Sequence, residues 1–239
     1  MHEVNESISY AIDWLKGWEI EIPLDIAFSA IDSGIKDFEY FKTAEQFDSR
    51  LTNLVKALYK GTISASSFVD SLAALISRQI TLAHREAWTD EGDGGNFPDY
   101  LTASIDEFAS AQFAFVDQYA RDIVDAAIDE SPIDPLLARV QLWANRYNEA
   151  YNKAVLLISS QNGGKLEWVL GATEEHCASC SALNGIVAYA TEWAEAGVQP
   201  QNAPNDKLEC DGWHCDCGLS STDKRRTKNA LERIKAATK

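Results

Sequence analysis

The sequence predicts a mainly α protein, a helical bundle body followed by a small cysteine-rich α+β cap. Three observations lead to that class. Apolar residues recur at helical spacing through the first two thirds of the chain. Strand-like alternation replaces that spacing after Gly163-Gly164. All five cysteines fall beyond this change, between Cys177 and Cys217. The 239 residues therefore divide into a body, 1–164, a cap, 165–222, and a basic C-terminal tail, 223–239. Hydrophobic residues make up 46% of the chain, which is enough to build a core and sets wholesale disorder aside.

In the body, Thr43-Ala44-Glu45-Gln46 reads as a capping box, followed by a stripe of Phe47, Leu51, Leu54, Val55 and Leu58 that Gly61 should end. Phe68, Leu72, Leu75, Ile76, Ile80 and Ala83 form the next stripe, running toward Trp88. The acidic break Thr89 to Asp99 lacks the ligand spacing of a calcium-binding EF-hand loop and reads as a solvated turn. One helix is expected through Ile105, Phe108, Phe115, Tyr119, Ile123 and Ala127. Another should start at Asp134-Pro135, an N-cap with proline at the first helical position. Its seam of Leu136, Val140, Trp143, Tyr147, Ala150, Ala154 and Leu157 suits a bundle core, with Arg139, Arg146, Glu149 and Lys153 off it.

In the cap, Leu166, Trp168 and Leu170 alternate with Glu167, Val169 and Gly171 as one strand, and Ile186 to Tyr189 suggests a second. A short helical piece spans Thr191 to Ala196, and a two-proline loop runs from Gly197 to Asp206. So small a segment buries little apolar surface by itself and calls for a staple.

The charge limits the function. Thirty-seven acids against 21 bases give −16, which disfavours a protein that coats nucleic acid by neutralising phosphates. The last seventeen residues depart from this, with seven bases and two acids, leaving the rest near −21. Lys224, Arg225, Arg226 and Lys228 are the candidate docking residues there, for an acidic protein surface or DNA, on a segment helical from Thr227. MHEVNESISY has no basic n-region ahead of an apolar run, and no stretch reaches the ~18–20 apolar residues of a membrane span. The expectation is synthesis in a reducing cytoplasm and no membrane partner, where clustered cysteines bind metal more often than they pair.

The cysteines are spaced Cys177-x2-Cys180-x29-Cys210-x4-Cys215-x-Cys217, with His176 and His214 alongside. Two knuckles of this kind suit the four-ligand tetrahedron of a structural zinc ion, which would hold the cap folded. Spacing favours Cys177, Cys180, Cys210 and Cys215, with Cys217 or His214 as substitutes. Other readings are a disulfide-bonded cap and a zinc-dependent deaminase, the latter from His84-Arg85-Glu86 and the C-x-x-C. In a deaminase the two motifs would not stand 93 residues apart, and three cysteines would be left unexplained. His84 and Glu86 read instead as surface residues of a helix. A zinc-binding adaptor of no viral origin is a third class.

The run ARVQLWANRYNEAYNKAV, then W-V-L-G, E-H-C-x-x-C-x-x-L-N-G and C-x4-C-x-C-x-L, resembles the tailed-phage minor head proteins of the Mu F-like head morphogenesis family. The resemblance covers about Pro132 to Ser220. It implies a non-enzymatic virion component inside the head near the portal, present in the host cytoplasm during assembly. It also implies portal or major capsid protein as partners, with packaged DNA as a possible further contact. The family's cysteine positions fall on Cys177, Cys180, Cys215 and Cys217, with Cys210 where many members carry a histidine.

Overall fold

The computed structural model describes residues 40–172, 175–213 and 215–238. Helix α1 spans Tyr40–Tyr59 and buries Phe47, Leu51, Val55 and Leu58. It already runs through Thr43, so the expected capping box lies inside the helix. Its end is as the sequence indicates. Gly61 adopts φ +68°, and the Thr62 N–H reaches the Ala57 carbonyl at 2.9 Å, closing the last turn through a left-handed residue.

Helix α2, Ala65–Glu91, starts at Ser64, whose hydroxyl accepts from the Ser67 N–H at 3.1 Å. It buries Phe68, Leu72, Ile76, Ile80, Ala83 and Ala87 in one stripe. The next expected helix is two, α3 at Asp99–Phe113 and α4 at Val116–Ile128. The break at Ala114 and Phe115 turns Val116 and Tyr119 inward and leaves Phe115 61% exposed, outside the stripe assigned to it. Both helices can then pack against α2.

The long seam is likewise divided, into α5 at Asp134–Ala144 and α6 at Arg146–Gln161. Asp134 is the first helical residue rather than the cap, and no side chain caps that end. Asn145 keeps right-handed dihedrals, so the break is shallow and Leu136, Val140, Trp143, Tyr147, Ala150 and Ala154 all remain buried. Tyr119 stacks on Trp143 at 6.4 Å and donates its hydroxyl to the Leu136 carbonyl at 2.7 Å. Glu149, expected on the outer face, is buried and paired with Arg146. No helix among the described residues is long and apolar enough to cross a membrane.

After α6 the chain forms a three-stranded antiparallel sheet in the order β2-β1-β3. Strand β1 is Lys165–Val169, β2 is Val187–Tyr189 and β3 is Gly218–Ser221. Leu166 and Trp168 of β1 face the core, as their alternation predicts. Two elements were not foreseen, β3 and the short helix α7 at Ala178–Leu183. Helix α8, Ala190–Ala196, ends at Gly197 in the left-handed region.

One cluster of buried side chains runs from Ala87 of α2 and Ala154, Val155 and Ile158 of α6 into Leu166, Trp168, Trp193 and Leu219. The sheet is therefore built directly onto α2 and α6.

The C-terminal segment, set apart in the sequence as a basic tail, packs onto the sheet and into the core. The Thr227 N–H bonds the Val187 carbonyl at 2.8 Å, and the Thr227 hydroxyl accepts from the Val187 N–H at 3.0 Å, so residue 227 closes the free edge of β2. Helix α9, Ala230–Ala236, then inserts Ala230 and Ile234 into the core cluster. Lys224 pairs with Glu167 and Arg226 with Glu192, while Arg225 and Lys228 are exposed. Ile234→Ala should accordingly cost ~2–5 kcal/mol as a large-to-small core change, whereas Arg225→Ala should stay within about 0.5 kcal/mol of the parent. Urea unfolding of both variants checks this, and equal stability would contradict a packed C-terminal helix.

Candidate metal centre

The five cysteines come together from three segments. Cys177 is the N-cap of α7, and its sulfur accepts from the Cys180 N–H at 3.3 Å. Cys180 sits in the first turn, 1% exposed. Cys210 lies in a chain of tight turns in which the Asn205 N–H bonds Asp211 O at 2.8 Å and the Trp213 N–H bonds Cys210 O at 2.9 Å. Glu209 fastens these turns to α7: its N–H reaches the Ser179 hydroxyl at 3.1 Å and its carboxylate accepts from the Ala178 N–H at 2.6 Å. Cys215 and Cys217 lead into β3.

The body and the loop that follows Gly197 both hold that last segment in place. Asn152 of α6 accepts from the Leu219 N–H at 2.9 Å, and Gln201 donates to the Cys217 carbonyl at 2.9 Å. Arg146 donates to the Ala203 carbonyl at 2.9 Å and lies over the Trp213 ring at 5.2 Å. Gly171 passes so close to Asp216 that a Cβ there would stand 2.1 Å from its Cγ.

Ligand atoms gather in three overlapping sets, each mutually within 4.8 Å: Cys177, Cys180 and Cys210; Cys180, Cys215 and Cys217; and His176, Asp216 and Cys217. The Cys180 and Cys215 sulfurs are 3.9 Å apart, and so are the Cys217 sulfur and His176 Nδ1. Zinc–sulfur bonds of about 2.3 Å give a tetrahedral edge of about 3.8 Å, so the first spacing is that of two thiolates on one ion. It is nearly twice a disulfide bond of about 2.05 Å, and all five thiols are free. Hydrogen bonds from Cys180 and Cys215 hold Cys217 well below the usual thiol range, while Cys215 and Cys217 push Cys180 up. A metal is bound by thiolates, so its binding would displace the remaining thiol protons.

All five cysteines named from the sequence lie in this cluster, which fits a metal ion. His214 lies outside the described residues. His176 and Asp216 were not among the ligands the spacing favoured; the only available signal was their adjacency to Cys177 and Cys217. The chain matches no family model, no curated protein and no solved structure.

The deaminase pattern lacks its histidine. His84 is fully buried, not on the surface as expected, and among the described residues it groups with no cysteine. Its Nδ1–H donates to the Ile80 carbonyl at 3.0 Å, which leaves Nε2 to accept from the Ser104 hydroxyl at 3.1 Å. Glu86 accepts from the Tyr147 hydroxyl. Burial pushes the His84 pKa down to about 4 from 6.5. The unfolded chain therefore takes up the proton first, and the stability contributed by His84 is complete above about pH 6.5. It should be lost as pH falls toward 4, by roughly 3 kcal/mol. Urea midpoints measured across that range should fall more steeply for the parent than for His84→Gln. Equal slopes would contradict a buried neutral imidazole.

Proposed function

We propose that this chain is a minor head protein of a tailed phage, a non-enzymatic virion component docked inside the head near the portal, whose cap is stapled by zinc. The observation that carries the reading is spatial. The C-x-x-C of Cys177 and Cys180 and the closing Cys215-x-Cys217 fall far apart in sequence yet gather in one cluster, directly after the long helical seam. Those are the stretches on which the family resemblance rests.

The donor set supports zinc in particular. Soft thiolates with an imidazole beside them suit a tetrahedral, redox-silent ion and suit magnesium or calcium poorly. When bound, zinc supplies a cross-link between three chain segments. Its surroundings support a structural role, because Cys180 and Cys217 are closed into the core and Asn152, Gln201 and Glu209 serve to fix backbone.

Docking to portal or major capsid protein, or to packaged DNA, falls to the exposed Arg225 and Lys228, since Lys224 and Arg226 are engaged by Glu167 and Glu192. Two bases on a strongly acidic chain make a local, salt-sensitive contact. The test is co-sedimentation with proheads of the phage that encodes the chain, at low and high salt. The parent should be incorporated and weakened by salt, and Arg225→Glu with Lys228→Glu should be incorporated poorly while remaining folded. Equal, salt-insensitive incorporation would move docking to the helical body, and failure of the parent to associate would overturn the head-protein reading.

A further inference from the structure

The ligand atoms are not arranged for one ion. A single tetrahedral site needs four donors in mutual contact, yet each set among the described residues has three members. Two of these sets are all sulfur, and they share only Cys180. Cys177 and Cys210 group with it in one set, and Cys215 and Cys217 in the other. We infer that the cluster is a two-metal thiolate centre in which the Cys180 sulfur bridges a Cys177–Cys210 site and a Cys215–Cys217 site. The inference deepens the zinc reading above and rests on it.

Three features support the pair. A thiolate has lone pairs for two ions, and Cys180 is the one atom the two sulfur triads share, at 1% exposed. Charge points the same way. Four thiolates on one divalent ion leave a local charge near −2 and a fifth sulfur unused, whereas two divalent ions on five thiolates leave about −1 and use every sulfur.

Donors also complete the count. His176 Nδ1, 3.9 Å from the Cys217 sulfur, can become the fourth ligand of the Cys180, Cys215 and Cys217 site. On the other side Cys177 and Cys210 are only half-buried, so solvent reaches the Cys177, Cys180 and Cys210 site as its fourth donor. Binding displaces the thiol protons to solvent and needs no change of oxidation state.

The experiment is metal counting on the full chain, purified with reductant, loaded with zinc and freed of excess by gel filtration. Elemental analysis should give two zinc ions per chain, and loading with ¹¹³Cd should give two NMR resonances. Cys210→Ser should lower the count from two to one, leaving the His176-assisted site filled. One metal on the parent chain would overturn the paired centre while leaving a single zinc staple standing. No metal would overturn both. A Cys210→Ser chain that still holds two ions would show that Cys210 is not a ligand and would overturn the two triads as drawn. The parent count decides the matter even if that variant fails to fold.

Discussion

Five sulfur atoms crowded into one cluster cannot all ionise unless a cation joins them, and this constraint bears on the whole C-terminal third of the chain. Without positive charge, crowding works against ionising them all, and the three segments that bring them are joined by hydrogen bonds and by the packing of Cys180, Leu183, Leu208 and Cys217 in the core. With a divalent ion the same crowding becomes coordination, and α7, the turns around Cys210 and the lead into β3 become one cross-linked unit. Few regular elements lie in this region: α7 has six residues, β3 has four, and the described residues between 199 and 217 contain no helix or strand.

The cap is small, but it does not stand alone. Leu166, Trp168 and Leu219 share a core with Ile158, Val155 and Ala87. Asn152 reaches from α6 to the backbone of β3, and the buried Arg146–Glu149 pair sits where α6 meets the loop carrying Ala203 and Trp213. Burial raises the Glu149 pKa and Arg146 opposes it, so the pair is held by mutual charge and by the Ala203 carbonyl. The sheet and the body supply hydrophobic adhesion, and a metal held by the cysteine cluster would add a cross-link to the irregular chain.

How much of this was legible in the sequence depends on the signal each feature leaves. The stripes of α1 and α2, the alternation in β1 and the five cysteines were readable because each is a repeating or rare pattern. The breaks at Ala114 and Asn145 were not, because both residues keep right-handed dihedrals and neither site carries glycine or proline. Strand β3 reads Gly-Leu-Ser-Ser, poor strand-forming residues whose pairing comes from β1 and Asn152. His84 and Glu149 were placed outside because periodicity cannot distinguish a polar residue facing water from one satisfied inside. The C-terminal helix hid its anchoring for a similar reason: seven bases dominate its segment, while Ala230 and Ile234 occupy only two inward positions.

The account stands on the claim that a metal bound by the cysteine cluster orders the cap while the helical body keeps its own fold. The most direct measurement is amide hydrogen exchange, resolved by segment, on the reduced full chain before and after metal chelation. The account predicts that chelation strips protection from α7, the turns around Cys210 and strand β3, while α2 and α6 keep theirs. Unchanged protection across Cys177 to Ser221 after complete metal removal would contradict it.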